Sequence, residues 1–328
     1  SSRGATAQQY FIAYLQGKSA TMEKNAAGEK VWSYKANDQI RKDFPDYNEN
    51  FKGTISWQQP KNNSIFTMLD GDIKSSNHTF SMTLIQDANQ IQSKMLETEL
   101  LLNYIPKDWN GVEDINGHPF TLQSLNKVFE YNNIGTEPGD FKNVWQFVES
   151  DKDPQFMGPN SELVGKNFLM MLTQEKYAKK VKDAYNLYKD DAGAEDFSAL
   201  ITKYEDKGEI KKYGYAWIDA WINAIKVVTD DGPICQNLVQ KTSAGQSGLL
   251  VYSKLRSVSE TDNASKNNIT VAAYQDGGIE GFGGFMYKHY LLIPKTSPMP
   301  WTACAFIEFM TCTTDGFSAW GKDMGGYS

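Results

Sequence analysis

Three short apolar runs in the first ninety residues each end in amides and acids and then lead into a helical stretch. Val31-Trp32-Ser33-Tyr34, Thr54-Ile55-Ser56-Trp57 and Ser81-Met82-Thr83-Leu84-Ile85 read as strands. Their tips are Lys35-Ala36-Asn37-Asp38, Gln58-Gln59-Pro60-Lys61-Asn62-Asn63 and Gln86-Asp87-Ala88-Asn89-Gln90. Successive strand–helix units predict a parallel sheet, and ligands settle at the carboxyl ends of such strands. Carboxamides there both donate and accept hydrogen bonds, which suits a polar solute. Amides and acids also end strands and cap helices anywhere. The threefold repetition, rather than any one tip, points to a site.

The pattern continues on both sides of these units. Ala5 to Gln16 carries Tyr10, Phe11, Tyr14 and Leu15 at helical spacing, and the polar stretch from Ser19 to Lys30 reads as a connector. Pro119 to Tyr131 is a long strand-like run, and the breakers of residues 132–140 follow it. Val144–Val148 reads as a strand, Phe156–Glu162 as a strand end and turn, and the stretch through Phe168 to Leu172 as a helix. Glu175–Lys189 and Asp196–Tyr204 are charged amphipathic helices, and Asp219–Val228 is another helix. Strands at Gly248–Ser253, Ile269–Tyr274 and Phe285–Pro294 precede a last helix over Pro300–Met310. The fold class is therefore α/β, with two α/β lobes joined by two hinge strands. The expected division is an N-terminal helix and spacer over 1–30, a first lobe over 31–122 plus 286–328, and a second over 123–285. Two crossings between lobes make a hinge and a cleft that can close on a ligand.

Composition narrows the partners. A length of 328 residues suits two domains. Net charge is −7 and no basic patch appears, which argues against nucleic acid. No run approaches the roughly 20 apolar residues of a membrane span. Cys235, Cys304 and Cys312 are odd in number and lack zinc-ligand spacing. Cys304 and Cys312 on one helix would stand about 12 Å apart, too far to bridge, so buried free thiols are expected. Gly-x-Ser-x-Gly and a phosphate-binding Gly-rich Lys loop are both missing. Asp190-Asp191 and Asp230-Asp231 read as solvated pairs, and His78, His118 and His289 as isolated histidines. No catalytic residue, metal set or cofactor is expected.

The run Phe285–Phe309, a strand ending in Ile293-Pro294-Lys295 and a helix opening at Pro300, resembles the return strand and following helix of bacterial extracellular solute-binding proteins. These are the substrate-capturing subunits of ABC importers. Thr83–Asp87 with Leu101–Pro106, and Val144-Trp145 with Met157–Ser161, are similar to other parts of that scaffold. The likeness is greatest to the branch with ferric-ion, polyamine and thiamine binders, and the fold it implies is the type II periplasmic-binding-protein fold. It implies one small polar solute, an ABC permease as partner, and a monomer at the extracellular face or in the periplasm. A lipid anchor removed from the N-terminus would be its only membrane tether.

Carried over by position, the resemblance places Asn37, Asp38, Gln58, Gln59, Gln86 and Asp87 in the cleft from the first lobe. The second lobe gives Asn160, Ser161, Glu162, Gln246 and Ser247, with Asp276 near the return hinge. Trp145 is a stacking candidate. Ferric sites in the family use adjacent tyrosines, and this chain has no Tyr-Tyr pair. Strand alternation sends Tyr287 and His289 to one face and Tyr290 to the other. A polyamine, sugar, vitamin or metal chelate remains open as the solute. A two-domain transferase or hydrolase, or a surface adhesin or sensor on the same fold, are the alternatives.

Overall fold

The computed structural model describes residues 10–11, 21–24, 26, 30–33, 54–58, 60–86, 91–96, 98–102, 104–106, 109, 120–158, 163–248, 250–254 and 268–321. Apart from residues 323–328, the chain divides into two compact units. The first joins Ser1–Leu125 to Tyr287–Lys322, and the second is Asn126–Met286.

The first unit opens with an antiparallel sheet of β1 (Thr21–Lys24), β2 (Lys30–Ser33) and β3 (Thr54–Ser56). Two expectations change here. Thr21–Lys24 is a strand within the expected spacer. The pairing is antiparallel: only five residues join β1 to β2, where a parallel pair needs a crossover of a dozen or more, and β3 also pairs antiparallel with β2. Helix α1 (Asn62–Lys74) follows, then β4 (Thr83–Ile85), a π-helical turn over Gln92–Leu96 and the short β5 (Leu101–Leu102).

The long strand β6 (Phe120–Asn132) carries the chain from the first unit into the second. A 3-10 helix over Val144–Val148 comes next, where an apolar, β-branched run predicts a strand. The reason is a capping box. Asn143 accepts a hydrogen bond from the Trp145 amide at 3.1 Å, and Gln146 accepts one from the Asn143 amide at 2.9 Å. The unit continues through β7 (Gln155–Met157), α2 (Leu163–Leu172), α3 (Glu175–Tyr188), α4 (Ser198–Lys203), α5 (Lys211–Ala224), β8 (Lys226–Val228), α6 (Asp231–Ser243), β9 (Leu250–Lys254) and β10 (Ile269–Val271). The expected helix over 219–228 ends at Ala224, because its last residues become the strand β8. The parallel pairing lies here: β7 runs parallel to β8 and β9, while β6 runs antiparallel to β9 and β10.

Strand β11 (Gly284–Pro294) returns the chain to the first unit and is the hydrogen-bonded neighbour of β6. It pairs antiparallel with β4 and β5. Helices α7 (Pro300–Cys312) and α8 (Thr314–Gly321) close the described chain.

An aromatic core fills the second unit. Trp217 and Trp221, one turn apart on α5, stack at 5.3 Å with planes 14° apart. Phe129 of β6 packs on Phe147 and Tyr252, and Phe168 of α2 stacks on Tyr252 at 4.5 Å. Gly214 lets α5 reach this core. A Cβ there would stand 2.0 Å from the Leu172 carbonyl oxygen, so any side chain would force the helices apart. In the first unit, α7 buries Phe306, Ile307, Phe309 and Met310 against Phe120, Leu122 and Leu291. Cys235 and Cys304 are buried, and Cys312 is partly buried.

Candidate functional site

The carboxyl end of β4 holds a polar array within the first unit. The β4–β11 register pairs Ile85 with Tyr290, and one further step sets Gln86 opposite His289. Strand β6 lies on the other side of β11 and brings Gln123 to the same histidine. Helix α1 starts at Asn62, whose side chain meets Gln86 twice. Asn62 Oδ1 accepts from the Gln86 backbone N–H at 3.3 Å, and Asn62 Nδ2 donates to Gln86 Oε1 at 2.9 Å. Gln86 Nε2 lies 2.6 Å from His289 Nε2, and the Gln123 carboxamide lies 2.9 Å from His289 Nδ1. Asn62, Gln123 and His289 are buried, and Gln86 is half-buried.

Four elements, β4, β11, β6 and α1, thus converge on one group of carboxamides around an imidazole. Such groups hold each other in fixed orientations. Gln86 keeps one N–H and one oxygen lone pair beyond the bonds named here, so it can meet a ligand that both donates and accepts.

The sequence-predicted positions divide in three ways. Gln86 joins this array. Gln58 is exposed beyond β3. Gln246 and Ser247 are exposed between α6 and β9, and Asp276 is exposed in a turn. Asn132 Nδ2 donates to the Gln246 carbonyl at 2.8 Å, which fixes that turn. Trp145 corrects an expectation. It is fully enclosed, donates from its ring N–H to the Val181 carbonyl at 3.0 Å and packs on Tyr185 and Phe197, so it offers no face to a solute. Asn37, Asp38, Gln59, Asp87, Asn160, Ser161 and Glu162 lie outside the described residues.

Sequence reasoning missed Asn62, Gln123 and His289 as a group. The signals available were a lone glutamine in the apolar run of β6 and the Tyr287/His289 alternation on β11. It also missed a buried charged cluster in the second unit. Lys127 Nζ donates to Asp231 Oδ1 at 3.0 Å, with the lysine side chain fully enclosed and the aspartate 4% exposed. Asp231, read as solvated, is instead buried at the first turn of α6. Glu130 is fully buried, and among the described residues neither carboxyl oxygen has a hydrogen-bond partner. Burial first, and the nearby Asp231 charge second, hold its carboxyl well above the usual carboxylate range.

A surface concavity of about 290 Å³ also indents the second unit, lined by Asp140, Phe141, Glu149, Lys152, Tyr188 and Asp191 among others. No predicted position lines it. Among the described residues no group of three or more His, Cys, Asp or Glu side chains could hold a metal ion. No described helix is long and apolar enough to cross a membrane.

Two α/β units threaded by two crossing strands define the fold of periplasmic and extracellular solute-binding proteins, and this chain has that fold. Solved structures supply the particular likenesses. A Trichodesmium protein, IdiA or FutA, solved with iron and citrate, matches with a TM-score of 0.50 at 9% identity over 89% of this chain and 83% of that one. The substrate-binding protein of an ABC transporter from Agrobacterium tumefaciens matches with a TM-score of 0.50 at 11% identity, over 89% and 77%. Iron-bound HitA from Pseudomonas aeruginosa matches with a TM-score of 0.50 at 12% identity, over 88% and 80%. No family model matches the sequence, and no curated protein matches it.

Proposed function

We propose that this chain is the extracellular solute-binding component of an ABC transporter. It captures one small polar solute and hands it to a permease, as a monomer and without chemical turnover. The observation that carries the reading is the Asn62–Gln86–His289 array at the carboxyl end of β4, on a fold shared with substrate-binding proteins. Desolvated, fully paired hydrogen bonds supply affinity at such a site, and groups left unpaired by the wrong solute supply selectivity. Asn37, Asp38, Gln59, Asp87, Asn160, Ser161 and Glu162 are proposed to complete the ligand shell. A lipid anchor is the proposed tether at the outer side of the membrane.

Native mass spectrometry of the purified chain, followed by a thermal-shift panel of sugars, polyamines, vitamins and metal chelates, tests the reading. A stoichiometric small molecule, or a saturable shift with one solute class, is expected. Release of a chemically altered solute would overturn it in favour of an enzyme. No bound molecule and no shift across the panel would overturn it in favour of an adhesin or sensor.

A further inference from the structure

The polar array of the first unit has a direction, and the direction follows from proton counting. The Gln86 backbone N–H can only donate, so the Asn62 atom facing it is the oxygen. The nitrogen of Asn62 therefore donates to Gln86 Oε1, and the nitrogen of Gln86 is left to face His289 Nε2 at 2.6 Å. That nitrogen carries only donors, so His289 Nε2 accepts. A neutral imidazole has one N–H, and here it must be on Nδ1. Gln123 Nε2 stands 2.9 Å from His289 Nδ1, and with the proton on Nδ1 the amide must turn over so that its carbonyl oxygen accepts there. The second face of the Gln123 amide is accordingly its NH2. Gln123 is 1% exposed, and the amide position turned away from His289, held by Oε1 before the amide turns over, has no hydrogen-bond partner among the described residues.

We infer that the Asn62–Gln86 pair locks His289 as the Nδ1–H tautomer, and that His289 thereby holds Gln123 with its two N–H groups as buried donors for an oxygen of the bound solute. His289 is a positioning residue, and Gln123 is the group that meets the solute. The solute class is one that brings a carboxylate or carbonyl oxygen, because a buried N–H pair left without an acceptor is costly and a donor-only cation cannot supply one. This deepens the solute-binding reading and rests on it for the solute, whereas the tautomer stands on the hydrogen bonds alone. Protonation of His289 would put a second N–H at Nε2. Gln86 would then have to turn over, and Asn62 with it, which forfeits the bond to the Gln86 backbone.

The test is nitrogen–proton correlation spectroscopy on the full chain labelled at histidine and glutamine, with the Gln123 signal assigned by its loss in Gln123→Glu. With only three histidines, the His289 signals are assigned by their loss in His289→Gln. The expected pattern at neutral pH is an N–H on Nδ1 and a bare Nε2. An N–H on Nε2, or on both nitrogens, would overturn the relay whatever the protein binds. Acetate and methylammonium are then titrated as acceptor-only and donor-only probes. Acetate should shift the His289 Nδ1–H and Gln123 NH2 resonances, and methylammonium should leave both in place. Gln123→Glu keeps an acceptor for His289, so it should keep the Nδ1–H pattern and lose the acetate response. A retained acetate response in Gln123→Glu, no response in the parent chain, or an equal response to methylammonium would overturn the assignment of solute class. If the tautomer holds while no solute binds in mass spectrometry or thermal shift, it is the transport reading that fails.

Discussion

Replacing Glu130 by glutamine should make this protein more stable, and increasingly so as pH rises. Glu130 sits on β6, fully buried, with no hydrogen-bond partner among the described residues for either carboxyl oxygen. Its folded-state titration is pushed upward, chiefly by desolvation and then by Asp231. Unfolded, the group titrates near pH 4.3. Between that pH and its folded-state value the native chain holds a proton that the unfolded chain has released. Stability from this proton is fully present below the unfolded value and is lost as pH rises towards the folded one, at up to about 1.4 kcal/mol per pH unit. From pH 5 to pH 7 the difference amounts to as much as ~3 kcal/mol, or several degrees in midpoint at about 2–4 °C per kcal/mol. Glutamine keeps the shape and the neutral state and removes the titration. The assay is guanidinium unfolding at pH 5, 6 and 7, followed by tryptophan emission, to which the enclosed Trp145, Trp217 and Trp221 contribute. The parent and Glu130→Gln curves should diverge with pH. Parallel curves would refute the argument, as would a variant less stable by a constant amount at every pH. The latter would mean that Glu130 is ionised and held by Lys127.

Lys127→Met strands the buried Asp231 carboxylate and should cost about 3–5 kcal/mol, with part of the loss recovered in the double variant with Asp231→Asn. Urea midpoints of both variants measure it, and an unchanged Lys127→Met midpoint would show the ion pair to be idle. Gly214→Ala should lower the denaturation midpoint, because its new methyl group meets the Leu172 carbonyl at 2.0 Å. Gly71→Ala, inside α1 with no atom within 4 Å of the added Cβ, should instead raise it by roughly 0.5–1 kcal/mol. Equal shifts of one sign in the two glycine variants would contradict this. Gln86→Leu should weaken the solute found by thermal shift at least tenfold, about 1.4 kcal/mol, and should also lower the stability of the empty chain by about 1–3 kcal/mol, because it takes a hydrogen-bond partner from buried Asn62 and His289; calorimetry of the empty chain measures the second effect.

Much of the fold was legible because both crossing strands, β6 and β11, carry apolar runs too long for a loop. The helices α3 and α7 announce themselves by periodicity. Sheet direction was not legible in the first unit, since pairing depends on how much chain joins two strands and on where each strand finds a neighbour. The 3-10 helix at Val144–Val148 was misread because its residue types favour strands, although Asn143 and Gln146 stood at capping-box spacing. Lys127 and Glu130 were hidden for a different reason. Apolar and polar residues interrupt each other along β6 as they would on a half-exposed strand. In the folded chain β6 is enclosed along nearly its whole length, so its charges are buried as well. At the candidate site, Gln86 could be read from its place at a strand end. Asn62, Gln123 and His289 come from three separate stretches, and only the β4–β11–β6 neighbourhood unites them.

The order in which the two units occur along the chain bears on how the protein is made. The second unit is one continuous segment, whereas the first needs residues from both ends of the chain. During synthesis, residues 126–286 can leave the ribosome and close their aromatic core while the first unit still lacks β11, α7 and α8. Domains tend to fold as units in the order they emerge. The first-synthesised segment is therefore the last to be completed, and until the C-terminal helices arrive it exposes Phe120 and Leu122, which α7 later covers. Aggregation or chaperone dependence should concentrate in that interval, and chains truncated just after residue 286 should hold a folded second unit attached to an unfinished first one.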